Sequence, residues 1–179
     1  MKKLMMIAAM MVAAISANAQ NEVGQITLKP LVGVNLSTLT NTSDSKMRVG
    51  VAAGVEAEYG VASNFGVTAG VIYSMQGAKD DDETLKLDYL NVPILANYYV
   101  IPGLAIKAGI QPAFNLSSKY GDADVDAKGF DLSIPVGLSY EVSGFVVDAR
   151  YNFGLTKTSE FGDAKNSVIQ FTLGYKFSL

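Results

Sequence analysis

The sequence contains no histidine and no cysteine, and each absence excludes a class of site. Without histidine, neither a Ser-His-acid triad nor a His-acid pair can be assembled, so hydrolases of those types are excluded. A zinc site would lack both imidazole and thiolate ligands. Without cysteine the chain has neither a disulfide framework nor an acylation site for a lipoprotein anchor. We therefore expect no catalytic residues, no metal site and no cofactor, and we predict that the protein is not an enzyme.

Two acidic motifs remain as candidates for ion binding. The motif Asp122-x-Asp124-x-Asp126 resembles the start of a calcium-binding loop. That loop needs glycine where Ala127 stands and a bidentate glutamate where Ser133 stands. We expect these acids, together with a second acidic run, to form a solvated outer surface that meets divalent ions bound to lipopolysaccharide; selective ion binding is the alternative. The second run is Asp80, Asp81, Asp82 and Glu83.

The N-terminus has the three parts of a secretory signal peptide. Lys2 and Lys3 are followed by an apolar stretch over residues 4–15 and by the small-x-small site Ala17-Asn18-Ala19. About twelve apolar residues are too few to cross a bilayer of ~30 Å, so a membrane-spanning helix is disfavoured. We predict that residues 1–19 are a signal peptide removed between Ala19 and Gln20, and that residues 20–179 form one domain.

The composition of the rest of the chain is acidic and partly apolar. Without its first 19 residues the chain carries 12 basic and 17 acidic residues, a formal charge of −5. An acidic chain has no electrostatic footprint for nucleic acid, so we expect no nucleic-acid partner. Although 49% of all residues are hydrophobic, no long apolar run follows the N-terminal stretch. The spacing of the dispersed apolar residues therefore indicates the fold class.

Apolar and polar residues alternate with a period of two in eight segments. In the last segment, Phe171, Leu173 and Tyr175 alternate with Gln170 and Thr172. Such alternation predicts strands with one apolar and one polar face. The predicted strands occupy residues 26–36, 49–59, 65–75, 90–98, 104–116, 130–140, 145–155 and 169–179.

The lengths of strands and connections favour a membrane barrel over a soluble β-sandwich or a lipocalin-like binder. Strands of about ten to thirteen residues match a tilted crossing of the bilayer. Short and long connections alternate, as in outer-membrane barrels with periplasmic termini. The short ones are 60–64, 99–103 and 142–144, and the long ones are 37–46, 77–84, 117–128 and 156–166. Aromatic residues flanking the short connections predict an interfacial girdle: Tyr59, Phe65, Tyr98, Tyr140 and Phe145.

In lipid every backbone polar group must be paired, so the first strand is expected to pair with the last. The sequence thus predicts that residues 20–179 form one outer-membrane β-barrel domain, an all-β, eight-stranded antiparallel up-and-down transmembrane β-barrel. Two features do not fit simple alternation. Leu85, Leu87 and Tyr89 are out of phase with Leu90, which predicts a β-bulge near Tyr89–Leu90. Four prolines also fall inside strands, where each lacks a ladder donor: Pro30, Pro93, Pro112 and Pro135.

The polar face is predicted to line a narrow lumen filled by side chains. Inward glycines leave room for charged residues, which are expected to pair as a salt-bridged plug because unpaired charges are costly to bury. A transport path is the alternative. We interpret Glu56 and Glu58 as members of these ion pairs in preference to a catalytic carboxylate pair. The predicted lumen charge network is Lys29, Arg48, Glu56, Glu58, Lys107, Asp131, Glu141, Asp148, Arg150 and Lys176.

Several segments carry a family resemblance that spans the chain after the predicted signal peptide. The chain resembles the outer-membrane β-barrel domain family common in Bacteroidetes, the porin-family or PorT-family proteins, which is similar to small OmpX- and OmpA-type barrels. The matching segments are 29–37 (KPLVGVNLS), 71–79 (VIYSMQGAK), 89–98 (YLNVPILANY) and 149–156 (ARYNFGLT). The resemblance implies an outer-membrane location and a barrel fold more strongly than an activity.

The resemblance also implies partners. They are outer-membrane lipid, lipopolysaccharide, and the periplasmic chaperone and barrel-assembly machinery. The assembly machinery is implied because the terminal FSL resembles an insertion signal, with leucine in place of the usual aromatic residue. The sequence identifies no protein partner. The predicted function is a structural or surface-interaction barrel that presents extracellular loops. The alternatives are a narrow channel for ions or small solutes and a PorT-like accessory component of a secretion system.

Overall fold

The computed structural model describes residues 23–40, 46–79, 84–120, 123–124, 129–156 and 165–179. None of these residues forms a helix long and apolar enough to cross a membrane. The predicted signal peptide, including Ala19 and Gln20, lies outside the described residues. The strand segments are β1 (Ile26–Thr40), β2 (Lys46–Ala62), β3 (Phe65–Lys79), β4 (Thr84–Asn91), β5 (Ile94–Ile101), β6 (Leu104–Tyr120), β7 (Ala123–Asp124), β8 (Phe130–Val142), β9 (Phe145–Gly154), β10 (Lys165–Tyr175) and β11 (Phe177–Ser178).

These segments form the eight strands of one antiparallel sheet. β4 and β5 are a single strand, because their register with β3 is the same on both sides of the break: Ile72 pairs with Asn91, and Ala69 with Ile94. β10 and β11 form the last strand, which is interrupted at Lys176, and β7 pairs with the end of β6. The strands follow one another around the sheet in chain order.

The sheet closes on itself between the first strand and the last. β1 pairs with β10 from Leu31–Gly174 to Thr40–Lys165, and with β11 near its other end. A closed sheet has no edge strand, which allows it to face lipid, where an unpaired backbone group would find no water. The predicted eight-stranded antiparallel barrel is thus confirmed.

Side chains alternate between the outside and the lumen along the strands. On β9, Val147 exposes 57% of its surface, whereas its neighbours Val146 and Asp148 expose 4% and 1%. The outer face along the strand centres is apolar, as lipid requires. The aromatic residues predicted beside the short turns lie on this face, with Phe65 half-buried and the others exposed: Tyr59, Tyr98, Tyr140 and Phe145.

The two ends of the barrel differ in their connections. At one end, tight turns at 63–64, 102–103 and 143–144 join the strands. Ser143 and Gly144 have φ angles of 51° and 81°, the left-handed values of a two-residue hairpin turn. At the other end, β1, β3 and β6 extend beyond the predicted strand ends, and part of each long connection lies outside the described residues.

A β-bulge lies beside Tyr89, which confirms the predicted bulge near Tyr89–Leu90, but its extra residue belongs to the partner strand β6. β4 keeps its alternation through these residues, with Leu87 and Tyr89 buried in the lumen as part of an apolar cluster. The irregularity falls between Asp88 and Tyr89 in the pairing with β6, where Leu116 is the extra residue. The residues out of phase with the outer face therefore line the inside of the barrel.

Each strand proline lies where a ladder is interrupted. Pro30 faces the break between β10 and β11. Pro93 lies between β4 and β5, and Pro112 lies opposite it, where the backbone N–H of Val92 donates to the Pro112 carbonyl at 2.8 Å. Pro135 falls in a gap in the pairing of β6 with β8. The backbone N–H groups that the prolines lack would therefore fall at positions where the regular pairing of strands is already broken.

We predict that a charge on the outer face destabilises the barrel according to its depth. Val136 lies at the centre of β8, and Val142 lies on the same face at its end beside a tight turn. Val136→Arg should lower the free energy of unfolding by about 2–4 kcal/mol, and Val142→Arg by about 0–1 kcal/mol, because only the first places a guanidinium near the bilayer midplane. Denaturant unfolding in lipid vesicles measures both. Equal losses would contradict a membrane-embedded outer face.

Candidate functional site in the barrel lumen

A cluster of five charged side chains lies at the centre of the lumen. Glu56 of β2 contacts both Lys29 Nζ and Arg150 Nη1 at 2.7 Å. Asp148 contacts Arg150 Nε at 2.6 Å and Lys107 Nζ at 2.7 Å, with Lys29 Nζ at 3.7 Å. These residues form the central ion cluster, which contains three cations and two anions.

The central ion cluster joins strands that are not neighbours. The Arg150–Glu56 pair links β9 to β2, which are separated by the first and last strands, and the Lys107–Asp148 pair links β6 to β9 across β8. The side chains therefore reach across the lumen. Glu56 and Arg150 are 1% and 2% exposed, so their charges depend on each other for compensation.

Glycines provide the space for these long side chains. Gly70 is the register partner of Glu56, and a Cβ atom at Gly70 would lie 2.6 Å from Glu56 Cγ. Gly137 pairs with Lys107 on one side and with Arg150 on the other, and its Cβ would lie 3.0 Å from Arg150 Cγ. A larger residue at either glycine would therefore displace the central ion cluster.

A second cluster closes the lumen near the tight turns. Lys176 Nζ contacts Glu141 at 2.9 Å and Glu58 at 3.6 Å, and it donates to the Tyr99 hydroxyl at 3.1 Å. The Tyr99 hydroxyl donates to Glu58 at 2.6 Å. These four residues form the turn-end cluster. Glu56 and Glu58, which share a face of β2, thus belong to different clusters and do not act as a carboxylate pair.

Two residues of the predicted network stand apart from both clusters. Arg48 donates through Nη1 to the backbone carbonyl of Gln76. Asp131 accepts hydrogen bonds from the Thr156 hydroxyl and from Asn166 Nδ2, the latter at 2.8 Å. Among the described residues, neither Arg48 nor Asp131 has an oppositely charged group within 4 Å. Of the ten predicted charged residues, five therefore belong to the central ion cluster and three to the turn-end cluster. The other two, Arg48 and Asp131, are in neither cluster.

Neutral polar residues occupy the lumen between the central ion cluster and the long connections. They line one small cavity beside Asp131: Gln76, Asn91, Gln111, Ser133, Asn152 and Asn166. The sequence prediction considered only charged residues and missed this group. The alternation that predicted the strands already placed several of these amides on the inward face, so the available signal was a run of inward Asn and Gln.

The described residues hold no grouped set of three Asp, Glu, His or Cys side chains suited to a metal ion. Of the motif that resembles a calcium loop, Asp124 belongs to β7, whereas Asp122 and Asp126 lie outside the described residues. The lumen offers ion pairs, amides and hydroxyl groups. Groups of these kinds can bind or orient a ligand, or exclude an ion from the lumen.

Comparison with known proteins agrees with this geometry. The family model of the outer membrane protein beta-barrel domain matches residues 18–160. No curated protein shows significant sequence similarity to the chain.

The barrel is similar to three solved structures at low sequence identity. Neisserial surface protein A is 14% identical with a TM-score of 0.56, covering 86% of this chain and 97% of that one. Ail of Yersinia pestis is 15% identical with a TM-score of 0.54, covering 87% and 100%. OprG of Pseudomonas aeruginosa is 12% identical with a TM-score of 0.54, covering 91% and 99%. At such identities the similarity shows the fold alone.

We predict that removing an anion from the central ion cluster lowers the free energy of unfolding more than removing a cation. Glu56→Gln should lower the free energy of unfolding by about 3–5 kcal/mol, because it leaves Arg150 and Lys29 buried against one remaining carboxylate. Lys29→Met is the matched control and should cost clearly less, since Glu56 keeps Arg150 and the cluster then holds two cations and two anions. Denaturant unfolding in detergent or vesicles compares them. A larger loss in Lys29→Met would show that charge balance does not control the cluster.

Proposed function

Because the chain belongs to the outer membrane protein beta-barrel domain family, we propose that it is a sealed scaffold that holds four loops at the surface of the outer membrane. The barrel anchors the chain in lipid, and the long connections supply the interacting surface. We also propose that the protein has no enzymatic activity. The lack of histidine supports this, and so does the engagement of the central and turn-end charges in ion pairs.

The central ion cluster is the observation that carries the proposal. Its members extend from β1, β2, β6 and β9 into the middle of the lumen and contact each other at 2.6 to 2.7 Å. An ion that passed would have to separate pairs that are almost fully buried, and breaking a buried pair is strongly unfavourable. The turn-end cluster adds a second barrier near the periplasmic end. Both clusters favour a plug over a channel.

The charge of the long connections bears on what they would bind. The sequence places Asp80, Asp81, Asp82 and Glu83 in one of them. Ail of Yersinia pestis has been solved with the heparin analogue sucrose octasulfate. A polyanion of that kind would be repelled by this acidic run, so we propose instead contact with cationic surfaces or with lipopolysaccharide through divalent ions.

Finer points of the proposal are supported by the sequence. Residues 1–19 would be removed after Ala19, and the chaperone and barrel-assembly machinery would then insert the chain into the outer membrane. The Bacteroidetes porin-family or PorT-type branch is favoured by the segments at 29–37, 71–79, 89–98 and 149–156. A protein that co-purifies in fixed stoichiometry from native membranes would favour the PorT-like accessory role over a scaffold that acts alone.

We predict that the purified barrel does not conduct. In planar bilayers the wild-type protein should give no stable stepwise openings, because the central ion cluster fills the lumen. Arg150→Ala removes the side chain that bridges Glu56 and Asp148, and Arg48→Ala is a matched control outside the cluster. Stable wild-type openings whose size changes in Arg150→Ala would overturn the sealed scaffold in favour of a narrow channel.

We predict that the long connections face the outside of the cell and that the tight turns face the periplasm. The chain has no cysteine, so a single introduced thiol can be labelled without background. Asp82→Cys, in a long connection, should react with a membrane-impermeant maleimide on intact cells. Ser63→Cys, in a tight turn, should react only after the outer membrane is permeabilised. Labelling of Ser63→Cys on intact cells would contradict the proposed orientation.

A further inference from the structure

The small polar cavity described above has a volume that suits a single occupant. About 10 Å³ is open within it, enough for one species of the size of a water molecule. It lies in the lumen between the central ion cluster and the long connections. Its wall has one charged residue, Asp131, which is 6% exposed.

Four residues that line the cavity have buried amide oxygens that receive no hydrogen bond within the described residues. They are Asn91 Oδ1, Gln111 Oε1, Asn152 Oδ1 and Asn166 Oδ1. The side chains are 1–4% exposed, so bulk water does not solvate them. Buried acceptors are normally paired, and four unpaired oxygens around one cavity indicate an electropositive occupant.

The hydrogen bonds and the surroundings of Asp131 also indicate an electropositive occupant. Its carboxylate accepts from the Leu132 backbone N–H at 2.8 Å, from Asn166 Nδ2 at 2.8 Å and from the Thr156 hydroxyl. Three donors are thus directed at this one carboxylate. No lysine or arginine nitrogen of the described residues lies within 4 Å of it to balance this charge.

We propose that this cavity binds one alkali-metal cation, Na⁺ or K⁺, through the Asp131 carboxylate and the surrounding amide oxygens. Carboxylate and amide oxygens are ligands for hard cations. A single positive charge balances the one carboxylate, whereas a divalent ion would leave the site positive. A water molecule matches the volume but leaves the carboxylate charge uncompensated. The site is independent of the sealed-scaffold function, because it concerns stability and not conduction.

The experiment uses the full barrel folded in detergent and follows the temperature at which its compact gel band is lost. At equal ionic strength, the midpoint should be several degrees higher in NaCl or KCl than in choline chloride, and the shift should saturate with cation concentration. Asp131→Asn should abolish the shift. The matched control is Asp88→Asn, which removes a half-buried carboxylate bonded to the Tyr73 hydroxyl and should keep it.

A second variant and a second measurement cover the case in which Asp131→Asn does not fold. Gln111→Leu removes one proposed ligand oxygen and should raise the cation concentration needed for half of the shift several-fold. ²³Na relaxation should show saturable broadening with the wild-type barrel and less with Gln111→Leu, while Asp88→Asn behaves as wild type. Equal midpoints in all three salts, or sodium effects unchanged in the cavity variants, would overturn the proposal and assign any binding to the acidic connections.

Discussion

The structure depends on the pairing of β1 with the last strand. Lipid offers no hydrogen bonds to the backbone, so a sheet in the bilayer is stable only when it has no free edge. Closure with eight strands also sets the circumference, and an interior of that size holds packed side chains and little else. The register between Leu31 and Gly174 thus constrains the lumen as well as the sheet.

The narrow lumen explains why its charges and its glycines occur together. A long cation and its carboxylate partner must meet in the middle, so the positions beside them in the ladder have no room for a side chain. Gly70 beside Glu56 and Gly137 between Lys107 and Arg150 fulfil this requirement. The ion pairs in turn connect strands that share no backbone hydrogen bonds. The barrel is therefore held together both around its wall and across its interior.

The strands and their faces could be predicted from the sequence because alternation is a local property with a fixed period. Val146 and Val147 show its strength, since two identical side chains lie on opposite faces as the period requires. The grouping inside the lumen could not be predicted, because it depends on register between strands and on side-chain reach. The alternation predicts one network that includes Arg48 and Asp131. It also predicts a short connection at Tyr99, whose hydroxyl in fact bridges Glu58 and Lys176.

The distribution of charge separates the two roles proposed for the barrel, an interacting surface and a sealed interior. The central ion cluster has one excess cation and the turn-end cluster one excess anion, so together they are neutral. The net negative charge of the chain after the predicted signal peptide therefore arises outside these clusters, and the sequence concentrates acids in the long connections, as at 80–83. Because the charges of the two clusters sum to zero, the clusters give the lumen little net potential to select a permeating ion, whereas acidic connections attract cations and cationic surfaces. This division favours a barrel that acts through its surface and uses its interior for stability.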